Sequence, residues 1–147
     1  MNKEEVYITK SFEETKLLGE KCAKNLKAGG IIALYGELGG GKTTFVQGIA
    51  LGLGIERRII SPTFIIVRTY ELNIENAKNF YHIDLYRTQN QDDIKGLGLE
   101  EIISDGKNIV AIEWAEKMGE FLPEKRTDIF FKYIEGDKRE IKIIKHE

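Results

Sequence analysis

The sequence is poor in the residues that fix small extracellular proteins. Its 147 residues include one cysteine, so no disulfide can close within the chain. That fits a reducing compartment, and the cytoplasm is the expected location. There are two prolines, Pro62 and Pro123, each in a single loop, and no repeat, low-complexity tract or linker. No apolar run approaches the ~20 residues of a membrane helix, so no membrane association is expected. The opening Met1-Asn2-Lys3-Glu4-Glu5 is charged and lacks the apolar stretch of a secretory signal. Neither charge sign dominates: 22 Lys and Arg face 24 Asp and Glu, a net charge of −2, so there is no global basic footprint for gripping nucleic acid. What is present, 41% hydrophobic and 31% charged residues, is the profile of a globular chain and excludes disorder. One domain over residues 1–147 is expected.

Val6 to Thr9 reads as a short strand, and Ser11 as the start of a helix. Ser11 and Glu14 have capping-box spacing. Thr15, Leu18, Cys22 and Leu26 recur at helical spacing and make a buried stripe, with Cys22 read as core rather than reactive thiol. Gly29-Gly30 reads as the helix end. Ile31 to Tyr35 is a continuous apolar run, which suits a strand covered on both faces. A glycine turn and a helix from Thr44 to Leu53, ending at Gly54, complete the opening unit of an α/β fold. Phe64 to Leu72 and Asn79 to Leu85 read as a hairpin about the turn Asn73 to Asn76. Asp92 to Ile103 holds short helices broken by Gly96 and Gly98, and Asn108 to Trp114 is another apolar strand. Ile129 to Ile134 and Glu140 to Ile144 form a last hairpin through Gly136-Asp137. The sum is an α/β fold: one domain, a mixed parallel and antiparallel sheet, flanking helices.

Gly36-Glu37-Leu38-Gly39-Gly40-Gly41-Lys42-Thr43 matches G-x-x-x-x-G-K-[ST] in full. Glycines let backbone N–H groups turn inward around phosphates, and the following helix aims its positive end at them. Lys42 brings charge to the β- and γ-phosphates, and Thr43 offers a hydroxyl to Mg²⁺. Strand before and helix after meet the context the motif requires, so the expected α/β fold is of the P-loop NTPase type. ATP with Mg²⁺ is the expected cofactor pair, held by residues 36–43 and Thr44.

Such a site needs a carboxylate at the end of a neighbouring strand. Glu113 ends Ile109 to Ile112 in that way; Asp84, within His82-Ile83-Asp84-Leu85-Tyr86-Arg87, is a rival, and Glu116 a weaker one. Which carboxylate meets the metal and which positions the attacking water stays open at this level. His82 alone reads as an ordinary structural histidine. Thr63, in Ser61-Pro62-Thr63-Phe64, could serve a γ-phosphate or water, but the plainer reading is a turn and strand start. Asp92-Asp93 and Glu100-Glu101 read as solvated helix faces.

The segments 36–44, 61–64, 82–87 and 112–116 (G-E-L-G-G-G-K-T-T, S-P-T-F, H-I-D-L-Y-R, I-E-W-A-E), in this order, resemble the TsaE family over essentially the whole chain. The resemblance implies an ATPase required for threonylcarbamoyladenosine formation on tRNAs that read codons beginning with A. It implies TsaD and TsaB as partners, with tRNA met only through that complex. By position it makes Lys42 the phosphate lysine, Thr43 and Glu113 the Mg²⁺ ligands, Asp84 the hydrolytic acid and Trp114 a neighbour of the site. Arg139, in Lys138-Arg139, resembles a basic pair near the nucleotide. Two positions depart from the family pattern: Gly40 where alanine is common and Ile65 where threonine is frequent.

Two other classes share a phosphate loop. A small nucleoside or nucleotide kinase would need an arginine-rich lid, and only Arg57-Arg58 cluster here. A GTP-dependent switch would carry N-K-x-D after the loop, and the sequence has none.

Overall fold

The computed structural model describes residues 2–37, 41–56 and 66–146. Strand β1 (Lys3–Thr9) starts three residues before the apolar segment that predicted it. The Thr9 and Thr15 hydroxyls meet at 2.7 Å and tie it to helix α1 (Phe12–Ala23). Ser11 caps α1 by accepting from the Glu14 N–H at 3.1 Å. The return arm of the predicted capping box lands one residue early, because Glu14 accepts from the Lys10 N–H at 2.9 Å. The helix stops at Ala23, well short of Gly29-Gly30. The chain tightens there: Leu26 N–H donates to Ala23 O and Gly30 N–H to Lys27 O, while Gly29 N–H is held by Asn108 O at 2.8 Å.

Strand β2 (Ile31–Tyr35) matches its predicted bounds. Helix α2 (Lys42–Gly52) begins two residues before Thr44, so Lys42 and Thr43 lie in its first turn. Strands β3 (Val67–Ile74) and β4 (Ala77–Asp84) form the first hairpin, turning through Asn76 at φ +66°. Short helices α3 (Gln91–Lys95) and α4 (Leu99–Ser104) follow, separated by Gly96 to Gly98. Strand β5 (Asn108–Glu113) is buried along its whole length. A 3-10 segment, Ala115–Phe121, which no sequence pattern predicted, leads to β6 (Arg126–Glu135) and β7 (Lys138–His146).

The seven strands run in the order β1-β7-β6-β2-β5-β4-β3. β6, β2, β5 and β4 are parallel; β1, β7 and β3 pair antiparallel at the two sides. Alternation along β2 splits the core. Ile32 and Leu34 pack under α1 and α2 with Phe45, Ile49 and Phe80, whereas Ile31 and Ala33 join Ile83, Ile112 and Met118 on the other face. The two long helices touch backbone to backbone: a Cβ on Gly48 would stand 1.9 Å from Lys16 O. That contact fixes where the first turn of α2 meets the sheet. No described helix is long and apolar enough to cross a membrane.

Candidate nucleotide and metal site

In an open parallel sheet the carboxyl ends of the strands face a common crevice. Here β2, β5 and β4 bring Leu34, Glu113 and Asp84 to the same level, Leu34 and Asp84 each being a register partner of Glu113. Gly36 leaves β2 at φ +141°, and a Cβ there would meet Phe131 O at 2.7 Å, so both conformation and space require glycine. Gly41 precedes α2 in the left-handed region, φ +100°. Leu38, Gly39, Gly40 and Thr63, with the rest of residues 57–65, lie outside the described residues.

Lys42 is 4% exposed. Its ammonium donates to the carbonyls of Gly36 and Glu37, the latter at 3.0 Å, and stands 4.2 Å from the Trp114 ring centroid. Burial lowers its pKa, and the carboxylates of Glu113, Glu116 and Asp84 oppose that shift. The Glu37 side chain is exposed, so its part in the loop is its carbonyl. Thr44 is half-buried in the first turn of α2.

Thr43 Oγ1 donates to Glu113, 3.1 Å from Oε1 and 3.2 Å from Oε2. His82 Nε2 meets Glu113 Oε2 at 2.5 Å from the other side, with no exposed surface on the histidine. When Glu113 is ionised its Oε2 can only accept, and Nε2 is then the donor. Asp84, one strand over, is half-buried; burial and then the neighbouring Glu113 raise its pKa, against the Tyr86 N–H donated to it at 3.0 Å. Trp114 turns the chain at φ +59°, an unfavourable conformation for a bulky residue. That turn lays the indole over Lys42 and against Tyr86, whose ring centroid is 5.3 Å away.

The structure therefore brings together Lys42, Thr43, Glu113, Asp84 and Trp114. Arg139 stands apart from Glu113's strand, on β7, where its Nη1 donates to Gly136 O at 2.8 Å and its guanidinium lies 4.7 Å from the Tyr133 ring. Glu116 is exposed. Cys22 is half-buried beneath apolar neighbours and its pKa is pushed up to about 11 by burial, as a core thiol should be, although Lys145 is close enough to oppose the shift.

His82 is the residue that sequence reasoning underrated. The signal was available: His82 and Asp84 alternate along β4 and so share a face, the face on which Glu113 ends β5. Among the described residues no three His, Cys, Asp or Glu side chains form a metal cage. One hydroxyl, one buried carboxylate and a second carboxylate nearby instead suit an ion that takes its remaining oxygens from phosphate and water, as Mg²⁺ does.

Strand, glycine loop, helix and an acid-ended neighbouring strand define a P-loop NTPase-type fold. Comparison with known proteins agrees. Residues 9–141 match the family model described as threonylcarbamoyl adenosine biosynthesis protein TsaE. The chain is 41% identical over 129 residues to the tRNA threonylcarbamoyladenosine biosynthesis protein TsaE of Bacillus subtilis, covering 88% of this chain and 78% of that protein. It is 34% identical to the protein of the same name from Treponema pallidum over 136 residues, 92% of this chain and 97% of the other. The crystal structure of YdiB from Bacillus subtilis superposes with a TM-score of 0.78 at 33% identity, covering all of this chain and 88% of that one. The chain belongs to the TsaE family.

Proposed function

We propose that this chain binds ATP with Mg²⁺ and hydrolyses it in support of threonylcarbamoyladenosine formation on tRNA. The observation that carries the reading is the Thr43–Glu113–His82 chain beside Lys42, at the carboxyl ends of parallel strands. The names of its relatives supply the pathway. Partnership with TsaD and TsaB, with tRNA met only through that complex, comes from the family resemblance.

In this reading Lys42 leaves the Gly36 and Glu37 carbonyls to meet the β- and γ-phosphates, and Gly41 and the first turn of α2 present N–H groups to them. Thr43 and Glu113 would hold the metal, with His82 orienting the Glu113 carboxylate. Bound Mg²⁺ supplies positive charge at the phosphate oxygens. Asp84 is committed to neither Thr43 nor His82 and is the more open carboxylate, so it holds the attacking water. Arg87 and Arg139 are the arginines nearest by motif; Arg87 is exposed, and Arg139 donates to Gly136 O at the β6–β7 turn. Hydrolysis is accordingly slow for the chain alone and faster with TsaB–TsaD, which complete the charge stabilisation; a cation supplied in trans adds ~10³–10⁵ in rate.

The test is single-turnover hydrolysis of saturating ATP and of GTP, with and without TsaB–TsaD, beside reconstituted tRNA modification with and without this chain. Modification that proceeds equally without the chain, or phosphate transfer to a nucleoside instead of water, overturns the reading.

A further inference from the structure

On the α1 face of the sheet, a cleft of about 960 Å³ opens between α1 and the β1 side. Its floor is apolar, with Leu18, Ile32, Ile129 and Ile143 all buried. Its lips are Leu17, 50% exposed, and Tyr7, 36% exposed. Six Lys and Arg but only two Glu line it, whereas the whole chain carries 22 against 24. Lys3 is paired with Glu5 and Arg126 with Asp128, but Lys21, Lys125 and Lys145 have no ion pair among the described residues. The negative end of α1 accounts for Lys21. It does not account for Lys125 and Lys145, which come from the sheet side.

The second observation is the sheet edge. β1 pairs with β7 only, so every other residue along it turns its backbone N–H and C=O away from the sheet, with no strand there among the described residues. Lys3, Glu5, Tyr7 and Thr9, alternate residues of the same strand, line the cleft together with Ile8. An open edge beside a cleft is the arrangement in which an added strand gains affinity from main-chain bonds and specificity from alternate side chains.

We propose that β1 and this cleft receive an extended segment of a partner protein, which adds to the sheet at β1 and turns alternating acidic and apolar side chains into the cleft. The acidic groups meet Lys21 and Lys145; the apolar ones pass between Tyr7 and Leu17 toward Leu18. A second copy of this chain fits less well, since its own lysine-lined cleft would face like charge. A nucleic acid strand has no N–H and C=O alternation to match β1 and no use for an aliphatic floor. The cleft reaches the first residue of β2, Ile31, and the far end of β7, whereas the phosphate loop follows the last residue of β2. The test uses the chain without nucleotide, so it does not depend on the proposed ATPase activity.

The probe is a nine-residue peptide with threonine at even positions and aspartate and leucine alternating at odd ones. Its counterpart has lysine for aspartate, and laurate serves as a small anionic amphiphile. Titration calorimetry and amide hydrogen exchange on the full chain are the readouts. The acidic peptide should bind at least about tenfold more tightly than the basic one, two ion pairs being worth roughly that. It should also slow exchange within residues 3–9, and the double substitution Lys21→Glu/Lys145→Glu should abolish the preference. Lys78→Glu/Lys107→Glu, at two exposed residues outside the cleft and with the same change of net charge, should leave it intact, which separates local charge from net charge. Equal binding of both peptides, or binding that leaves β1 exchange unchanged, overturns the proposal. So does laurate binding without peptide binding, or β1 protection that grows with protein concentration in the absence of peptide.

Discussion

Two carboxylates, Glu113 on β5 and Asp128 on β6, are both almost fully buried, and they are surrounded in opposite ways. Asp128 is encircled by donors: Tyr35 OH at 2.7 Å, Arg126 Nε at 2.8 Å and His146 Nε2 at 2.7 Å. Burial alone would raise its pKa, but the bonds from Arg126, Tyr35 and His146 hold it below the usual carboxylate value. Glu113 has the Thr43 hydroxyl, the His82 imidazole and another carboxylate, Asp84, beside it. No lysine or arginine is hydrogen-bonded to it among the described residues, Lys42 being turned to loop carbonyls. A buried acid closed off by donors is a structural element. One that shares its surroundings with a second acid is not closed off in this way, and that difference supports the proposed metal site.

The sharpest way to break this contrast is to remove charge from the β5 side. Lys42→Ala should cost about 10²–10³ in single-turnover ATP hydrolysis, the loss of one preorganised charge at the phosphates. It should leave the melting temperature close to the parent's, because a buried lysine contributes little net stability. Normal hydrolysis by this variant would remove the loop from the mechanism.

On the β6 side the pattern should invert. Asp128→Ala leaves Tyr35, Arg126 and His146 without their shared acceptor and should cost about 2–3 kcal/mol in denaturant unfolding, with ATP binding kept. Because the folded-state pKa of Asp128 is lowered, its contribution is full above the unfolded value of about 3.9 and is lost as pH falls through the folded value. Unfolding curves of parent and Asp128→Asn should therefore converge at acid pH; a gap that persists there would mean that shape rather than ionisation is what Asp128 supplies.

Asp84 should show the opposite sign and a smaller effect on stability. Its pKa is raised by burial and by Glu113, so ionisation works against the fold: the penalty is absent below about pH 3.9 and grows as pH rises to the folded value. At neutral pH Asp84→Asn should melt at or slightly above the parent temperature, bind ATP normally and hydrolyse it more slowly. A less stable variant with unchanged turnover would place Asp84 with Asp128 as a structural acid.

The smallest expected change is spectroscopic. Trp114 is the only tryptophan, and its ring lies 4.2 Å from the Lys42 ammonium. When Lys42 swings to phosphate, that cation leaves the indole, and emission should shift on titration with ATP and Mg²⁺. A flat signal would mean that Lys42 stays where it is.

Much of the site was legible because it is local in sequence. The loop motif runs through consecutive residues, and the acid at the end of an apolar strand follows from one-dimensional pattern. His82 was not legible: a single imidazole in a strand has many structural uses, and only the pairing of β4 with β5 sets it 2.5 Å from Glu113. The same limit explains the misplaced end of α1. Glycines at 29 and 30 are a fair stop signal, but Asn108, far along the chain, captures the Gly29 N–H and leaves the preceding residues in a tightened turn.

By itself, the sequence determined the number and kind of the central strands, the helix behind the glycine loop, and the side chains proposed here to meet phosphate and metal. These depend on periodicity, glycine conformation and side-chain chemistry, all carried by neighbouring residues. Tertiary structure alone decided the strand order, the grouping of His82, Asp84 and Glu113, and the cleft beside β1. Such features join residues tens of positions apart, and their geometry exists only after the chain has closed on itself and sequence spacing no longer measures distance.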